Sequence, residues 1–173
     1  MKLPADRPDL PEVRIDYTRY LVSLRELGQG FGLITQLLQN RGIEENAMVI
    51  FMGNNGKTLC RGKGTLFDRG THVPLMIPWH RRLKPGLSSS ALVCGTDLGP
   101  TILTACGMLP LKGMTDISLL RQLLDGQAEG RQDVFAESRW HWGSITRTDG
   151  FDLSRSIISE RRRYIYNALP DCV

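Results

Sequence analysis

The possible folds of this sequence narrow at one place. Met48-Val49-Ile50-Phe51-Met52, an apolar run with β-branched and aromatic members, follows Glu44-Glu45-Asn46 and breaks into Gly53-Asn54-Asn55-Gly56. Such a run followed by such a break reads as a buried strand that delivers its C-terminal end into a loop. A second apolar run, His72-Val73-Pro74-Leu75-Met76-Ile77, returns to the core. Between them, Arg61-Gly62-Lys63-Gly64-Thr65 sets a lysine between two glycines, which let a backbone approach a ligand closely. Ligands of α/β sheets sit at the carboxyl ends of strands, so the amides of Asn54 and Asn55 stand where they can work. On the residues alone a plainer reading is favoured. Asparagine and glycine are the default turn residues, and Lys63 is then an ordinary surface lysine.

The rest of the chain is built around this unit. Leu3 to Pro11 is proline-rich and extended. From Glu12, apolar residues recur at spacings of three and four (Tyr17, Tyr20, Leu21, Leu24, Leu27, Phe31, Ile34, Leu37, Leu38), which predicts one apolar face of a helix. Gly42 supplies the positive-φ stop, with Arg41 as a basic residue in the last turn. Gly28, Gly30 and Gly32 lie inside that pattern and imply close approach to a neighbouring element. A GxGxG phosphate loop is the sharper alternative, but these glycines do not follow a strand. A strand such as Met48–Met52 belongs inside a sheet, covered on both faces.

Beyond Ile77 come a turn-rich basic connection from Pro78 to Gly86 and a short strand at Ala91–Val93. A helix capped by Thr96 or Asp97 then runs to about Cys106, with Pro100 in its first turn and Gly107 as its stop. A short helix near Ile117–Leu124 precedes three strands, Asp133–Glu137, Ser154–Ser159 and Arg163–Asn167. The fold class expected is α/β, a partial mixed sheet flanked by helices with a small antiparallel β subdomain at the C-terminal end. The division expected is residues 1–107 and 108–173.

Composition excludes more than it selects. A chain of 173 residues with 41% hydrophobic content is long enough for one core of ordinary size. The net charge of +4 permits anionic partners. Lysine and arginine are nonetheless spread along the chain, and no groove-reading motif accompanies them, so nucleic acid is not an expected partner. Cys60, Cys94, Cys106 and Cys172 form no CxxC pair and read as buried or half-buried free thiols. No run approaches transmembrane length, and the opening residues are not a signal peptide, so no membrane partner is expected and the chain as written reads as cytoplasmic.

VIFMGNNG and GKGTLFDRGTHVPLMI resemble a conserved block of the sulfatases, within the alkaline-phosphatase-like superfamily. The resemblance continues through Gly95-Thr96-Asp97-Leu98-Gly99-Pro100-Thr101 and on to Arg163-Tyr164-Ile165-Tyr166-Asn167. It implies that the sheet is part of an alkaline-phosphatase-like fold and that the chain is the later portion of a sulfuric ester hydrolase. The substrates implied are aryl sulfates or sulfated carbohydrates. The family's Cys/Ser-x-Pro-x-Arg motif, whose first residue becomes the formylglycine nucleophile, occurs nowhere in these residues. The expectation is therefore no activity from this chain by itself, with a missing N-terminal half as a partner. The alternative is a degenerate, non-catalytic member that binds a ligand or another protein.

By the same resemblance, Asn54 and Asn55 fall on the family's Asp-Asn calcium pair. Asn55 matches and offers a carbonyl oxygen, whereas Asn54 replaces a carboxylate with an amide and weakens the site. Lys63 falls on the lysine that holds the sulfate, as a catalytic and substrate-binding group. Glu137-Ser138-Arg139-Trp140-His141-Trp142 resembles a loop near the pocket mouth, which makes His141 a candidate substrate contact.

Overall fold

The computed structural model describes residues 2–5, 7–57, 61–126, 131–140 and 151–168. The chain forms two compact units. One comprises Met1–Met48 with Trp79–Arg81; the other comprises Val49–Pro78 with Arg82–Val173.

The first unit is dominated by helix α1, Pro11–Asn40. Leu10 enters in an extended conformation, and proline opens the first turn, where a missing N–H costs nothing. Asp9 receives a bidentate contact from the Arg14 guanidinium, 2.6 Å at Oδ2. The expected stop is present: Gly42 has φ +66°. Arg41 is the C-cap itself, and the last turn carries no basic residue. A 3-10 turn at Glu44–Asn46 follows. Glu44 Oε1 accepts from the Gln39 amide at 2.8 Å and lies 3.3 Å from His80 Nε2. The three helical glycines do not mark a close approach. An added Cβ at Gly28, Gly30 or Gly32 would meet nothing within 4 Å. No residue of α1 is buried.

In the second unit, strands β1 (Phe51–Met52) and β2 (Leu75–Met76) pair antiparallel, Phe51 opposite Met76 and Met52 opposite Leu75. Sequence periodicity predicts a longer strand over Met48–Met52. The ladder is cut to two residues by proline. Gly53 N–H donates to Pro74 O at 3.0 Å and Val49 N–H to Pro78 O at 3.0 Å, and neither proline has an N–H to return. Ala91–Val93, expected as a strand, is irregular and half-buried. Among the described residues no strand runs beside it to complete a ladder.

Helix α2 is a single turn, Asp68–Thr71, and α3 spans Leu98–Ala105 before Gly107 at φ +75°. Asp97 sits at the N-cap of α3 but does not bond its N–H groups. The fully buried carboxylate accepts instead from Cys94 N–H at 2.7 Å, from Ile117 N–H at 3.1 Å and from the Arg131 guanidinium. It therefore joins three separate segments. Thr101, also fully buried, extends this fastening by accepting from Leu119 N–H at 2.8 Å. Helix α4 is shorter than its pattern suggests, Leu120–Asp125, and ends on Gly126 at φ +71°.

Strands β3 (Asp133–Trp140), β4 (Phe151–Ser159) and β5 (Arg163–Asn167) make an antiparallel sheet in that order. Directly opposed residues share a face. Phe135, Ile157 and Tyr164 therefore form one row, while Val134, Ile158 and Arg163 form a row on the opposite face. The first face is open, with Phe135 71% and Tyr164 65% exposed; the other holds buried Val134 and Ser156. The architecture is α/β with small antiparallel sheets, as the sequence predicts. No helix among the described residues is long and apolar enough to cross a membrane.

Candidate functional site

The loop between β1 and β2 carries both candidate elements, the amide turn and the lysine turn, and main-chain bonds hold them together. Gly56 N–H donates to Gly70 O at 3.0 Å, which ties the end of the amide turn to α2. Lys63 N–H donates to Lys57 O at 3.0 Å. Gly62 O accepts twice from Thr65, from its N–H at 3.1 Å and its hydroxyl at 2.8 Å, closing a turn with Lys63 inside. One residue before the turn and one within it explain its tightness. Arg61 has φ +57° and Gly64 φ +83°, both left-handed. Arg61 is held there by its guanidinium lying 5.2 Å from the Phe67 ring centroid.

Two glycines are demanded by space rather than by φ. A Cβ on Gly56 would stand 1.7 Å from Arg69 O, and one on Gly70 would stand 2.1 Å from Thr65 O and 2.6 Å from Gly62 O. Backbone therefore packs directly on backbone, and nothing larger than glycine fits. The glycines expected to open the loop to a ligand are in part there to close the loop on itself.

The result is a scaffold turned inward with its side chains outward. Gly62 is buried while Lys63 is exposed. The ion pairs among the described residues do not include Lys63. An exposed ammonium on a rigid turn can donate to an anionic oxygen without first breaking another contact. Asn54 is exposed, and Asn55 is half-buried with its Nδ2 donating to Gly56 O at 2.7 Å. That bond orients the Asn55 amide and leaves its carbonyl oxygen as the acceptor end.

A calcium ion takes six to eight oxygen ligands, and carboxylates carry most of its charge. The turn offers two neutral amides. No group of three or more His, Cys, Asp or Glu among the described residues could hold a metal. The residues present do not make a calcium site by themselves. His141 lies outside the described residues, as do Cys60 and Cys172. His72 and His80 are both exposed, and His72 lies 3.8 Å from Asp68 within its own turn.

The residue that local sequence patterns do not single out is Arg163. From β5 it reaches the same loop, donating to Leu66 O, to Thr71 Oγ1 at 2.7 Å and to Asp68 Oδ1 at 3.3 Å. Its side chain is 16% exposed. The available signal was the alternation of β5, which puts Arg163 and Ile165 on the same inward face.

Comparison with known proteins shows the family. The sulfatase family model matches residues 6–108. An ulvan-active sulfatase of Formosa agariphila is 26% identical over 170 residues, covering 98% of this chain and 27% of that protein. The N-sulphoglucosamine sulphohydrolase of Homo sapiens is 35% identical over 98 residues, covering 56% of this chain and 19% of that protein. A solved structure in complex with its substrate D-glucosamine-2-N,6-O-disulfate superposes with a TM-score of 0.72 at 17% identity. It shares 88% of this chain and 34% of its own. The chain thus spans between 19% and 34% of the length of these relatives.

Proposed function

The chain belongs to the sulfatase family, and on that premise we propose that it forms the later part of a sulfuric ester hydrolase acting on sulfated carbohydrates. Lys63 is the sulfate-holding group. The observation that carries this reading is the Gly62–Thr65 turn, which anchors on a buried Gly62 and presents Lys63 exposed. Cleavage of a sulfate ester spreads negative charge over the sulfate oxygens and the departing oxygen. A fixed cationic donor lowers that barrier because it is already in position when the charge develops. The sulfated saccharide of the superposed structure and the ulvan named for the Formosa agariphila relative support a carbohydrate as the substrate class.

The nucleophile is assigned to sequence outside these residues, since the formylglycine motif is absent from them. Asn54 and Asn55 are assigned as amide ligands to a calcium site whose charged ligands also lie elsewhere. Calcium, if held there, would supply polarisation of a bound sulfate, and the amide of Asn54 in place of a carboxylate would weaken its hold. His141 remains a proposed substrate contact. Residues 1–107 are assigned to the catalytic α/β domain and 108–173 to the C-terminal subdomain.

The test is direct. Inorganic sulfate titrated into the full chain, followed by NMR at Lys63, should give a saturable shift that Lys63→Ala abolishes. Equal sulfate affinity in wild type and Lys63→Ala would overturn the assignment. The chain without further sequence should not turn over an aryl sulfate; turnover lost in Lys63→Ala would place the nucleophile within these residues after all.

A further inference from the structure

Arg163 is 100 residues from Lys63 in sequence, yet it is the side chain that ties the C-terminal sheet to the lysine loop. We propose that Arg163 is a positioning residue for the sulfate site, fixing Lys63 relative to Asn55 through the segment Leu66–Thr71. This deepens the reading of Lys63 as the sulfate-holding group and rests on it.

The physical route can be followed atom by atom. Arg163 Nη1 donates to Leu66 O, just before the helical turn, and to Thr71 Oγ1 at its end. Nη2 reaches Asp68 within it at 3.3 Å. A planar guanidinium whose Nη1 meets both ends of one helical turn while Nη2 reaches Asp68 within it sets the turn's position and its orientation together. The gripped segment is in turn the wall on which both site elements rest. Its Gly70 carbonyl accepts from Gly56 N–H, next to Asn55. Its Gly70 Cα packs so close to Gly62 O and Thr65 O that no Cβ fits between them. Gly62 and Thr65 are the two ends of the turn that presents Lys63. If the segment shifts, the amide turn and the lysine turn shift with it, and the distance between their functional atoms is no longer held.

The side chain of Arg163 is 16% exposed while that of Asp68 is 72% exposed. The neutral acceptors Leu66 O and Thr71 Oγ1 are therefore the fastening, and the Asp68 contact is a solvent-screened addition. This ranking yields a variant that spares the sheet. Thr71→Val keeps the shape of the side chain and removes one of the two inner acceptors.

The experiment pairs amide hydrogen exchange with sulfate titration on the full chain. In Arg163→Ala, the amides of Gly56, Thr65 and Gly70 should lose protection while those of β3 keep it. Sulfate affinity at Lys63 should fall roughly tenfold, because misplacing a binding group by about an ångström costs on that order or more. Thr71→Val should move both readouts in the same direction by less, and it decides the matter if Arg163→Ala does not fold. Arg163→Lys should recover only part of both readouts, since an ammonium can stand in for Nη1 at the two inner acceptors but loses the planar group that also carries Nη2 to Asp68. Lys63→Ala should lose sulfate binding with the loop amides still protected, which separates the two claims. Arg163→Ala or Thr71→Val with unchanged protection at Gly56, Thr65 and Gly70 overturns the positioning role. Lost protection with unchanged sulfate affinity overturns it as well. Lys63→Ala without effect on sulfate removes the underlying assignment, and this one with it.

Discussion

Thirty residues of α1 bury no side chain within their unit, whereas the loop from Gly53 to His72 leaves no room even for a methyl group at two of its glycines. The helix satisfies its backbone locally, one hydrogen bond per residue, and so forms without fixing the position of anything outside itself. Leu24, Leu27, Leu33, Ile34 and Leu37 remain exposed along it. The loop does the reverse. It has one helical turn, but its main-chain bonds run between segments, from Gly56 to Gly70 and from Lys63 to Lys57. Regular structure and positional precision are thus separate properties in this molecule. The candidate groups sit where secondary structure is sparsest, on a loop held by cross-segment backbone contacts.

Glycine substitutions are the sharpest way to break that contrast. Gly56→Ala places a methyl group against the Arg69 carbonyl, where neither side can yield as a side chain would. It should destabilise the second unit by about 3 kcal/mol or more, read as a fall in the urea midpoint of its exchange-protected amides. A change below about 0.5 kcal/mol would mean that the loop relaxes freely and that its tightness is not structural.

The next effect concerns the open face of α1. A contiguous apolar stripe without cover promotes association. The full chain should sediment as self-associated species, and Leu24, Leu27 and Ile34 changed together to glutamate should shift it toward monomer. A wild-type chain that is monomeric with one cooperative unfolding transition would show that the helix face needs no cover.

Smaller still, Gly30→Ala should stabilise α1 by up to ~1 kcal/mol, since nothing lies near the added methyl group and alanine is the better helix former. The measurement is helical circular dichroism during thermal unfolding. A loss of stability would reveal a packing partner at Gly30.

The smallest effect belongs to Asp9. Hydrogen bonding from Arg14 holds its carboxyl below the ordinary value of 3.8. The stabilisation it gives the start of α1 is therefore complete above that ordinary value and is lost as pH falls through the lowered one. Amide exchange over the first turn should quicken only at the acid end of a titration from about pH 5 to about pH 2, and Asp9→Asn should remove that dependence. A midpoint above 3.8 would contradict the pairing.

Much of this structure can be read from the residues, and the limits follow from distance along the chain. Apolar spacing of three and four located α1 to within a residue or so of Pro11 and Asn40, because a helix is specified by its own sequence. The three short strands read near the C-terminal end fall inside β3 and β4 and coincide with β5. However, β3 runs on to Trp140 and β4 starts at Phe151, because pairing with a neighbour extends them. The apolar run predicts a longer strand around Met48 than the structure has, because the effect of Pro74 and Pro78 depends on which residues they face. Ala91–Val93 has strand-forming residues and no ladder, since a strand exists only with its neighbour. Lys63 and the amide pair are candidates only through the family resemblance; the residues by themselves favour an ordinary turn. Arg163 and the Asp97–Arg131 contact escaped because their partners lie 34 to 97 residues away.

The span of the Arg163 contacts bears on the order of folding events. Its acceptors at Leu66, Asp68 and Thr71 precede it by 97, 95 and 92 residues. Closing so long a separation costs entropy before it returns any contact, so such contacts form after local ones. On a chain synthesised from its N-terminus, the lysine loop exists for about a hundred residues of elongation without the side chain that braces it. Pulse-labelled exchange during refolding should find Gly70 protected no earlier than the amides of β5. The site that the loop presents is then among the last parts of the molecule to reach its working geometry.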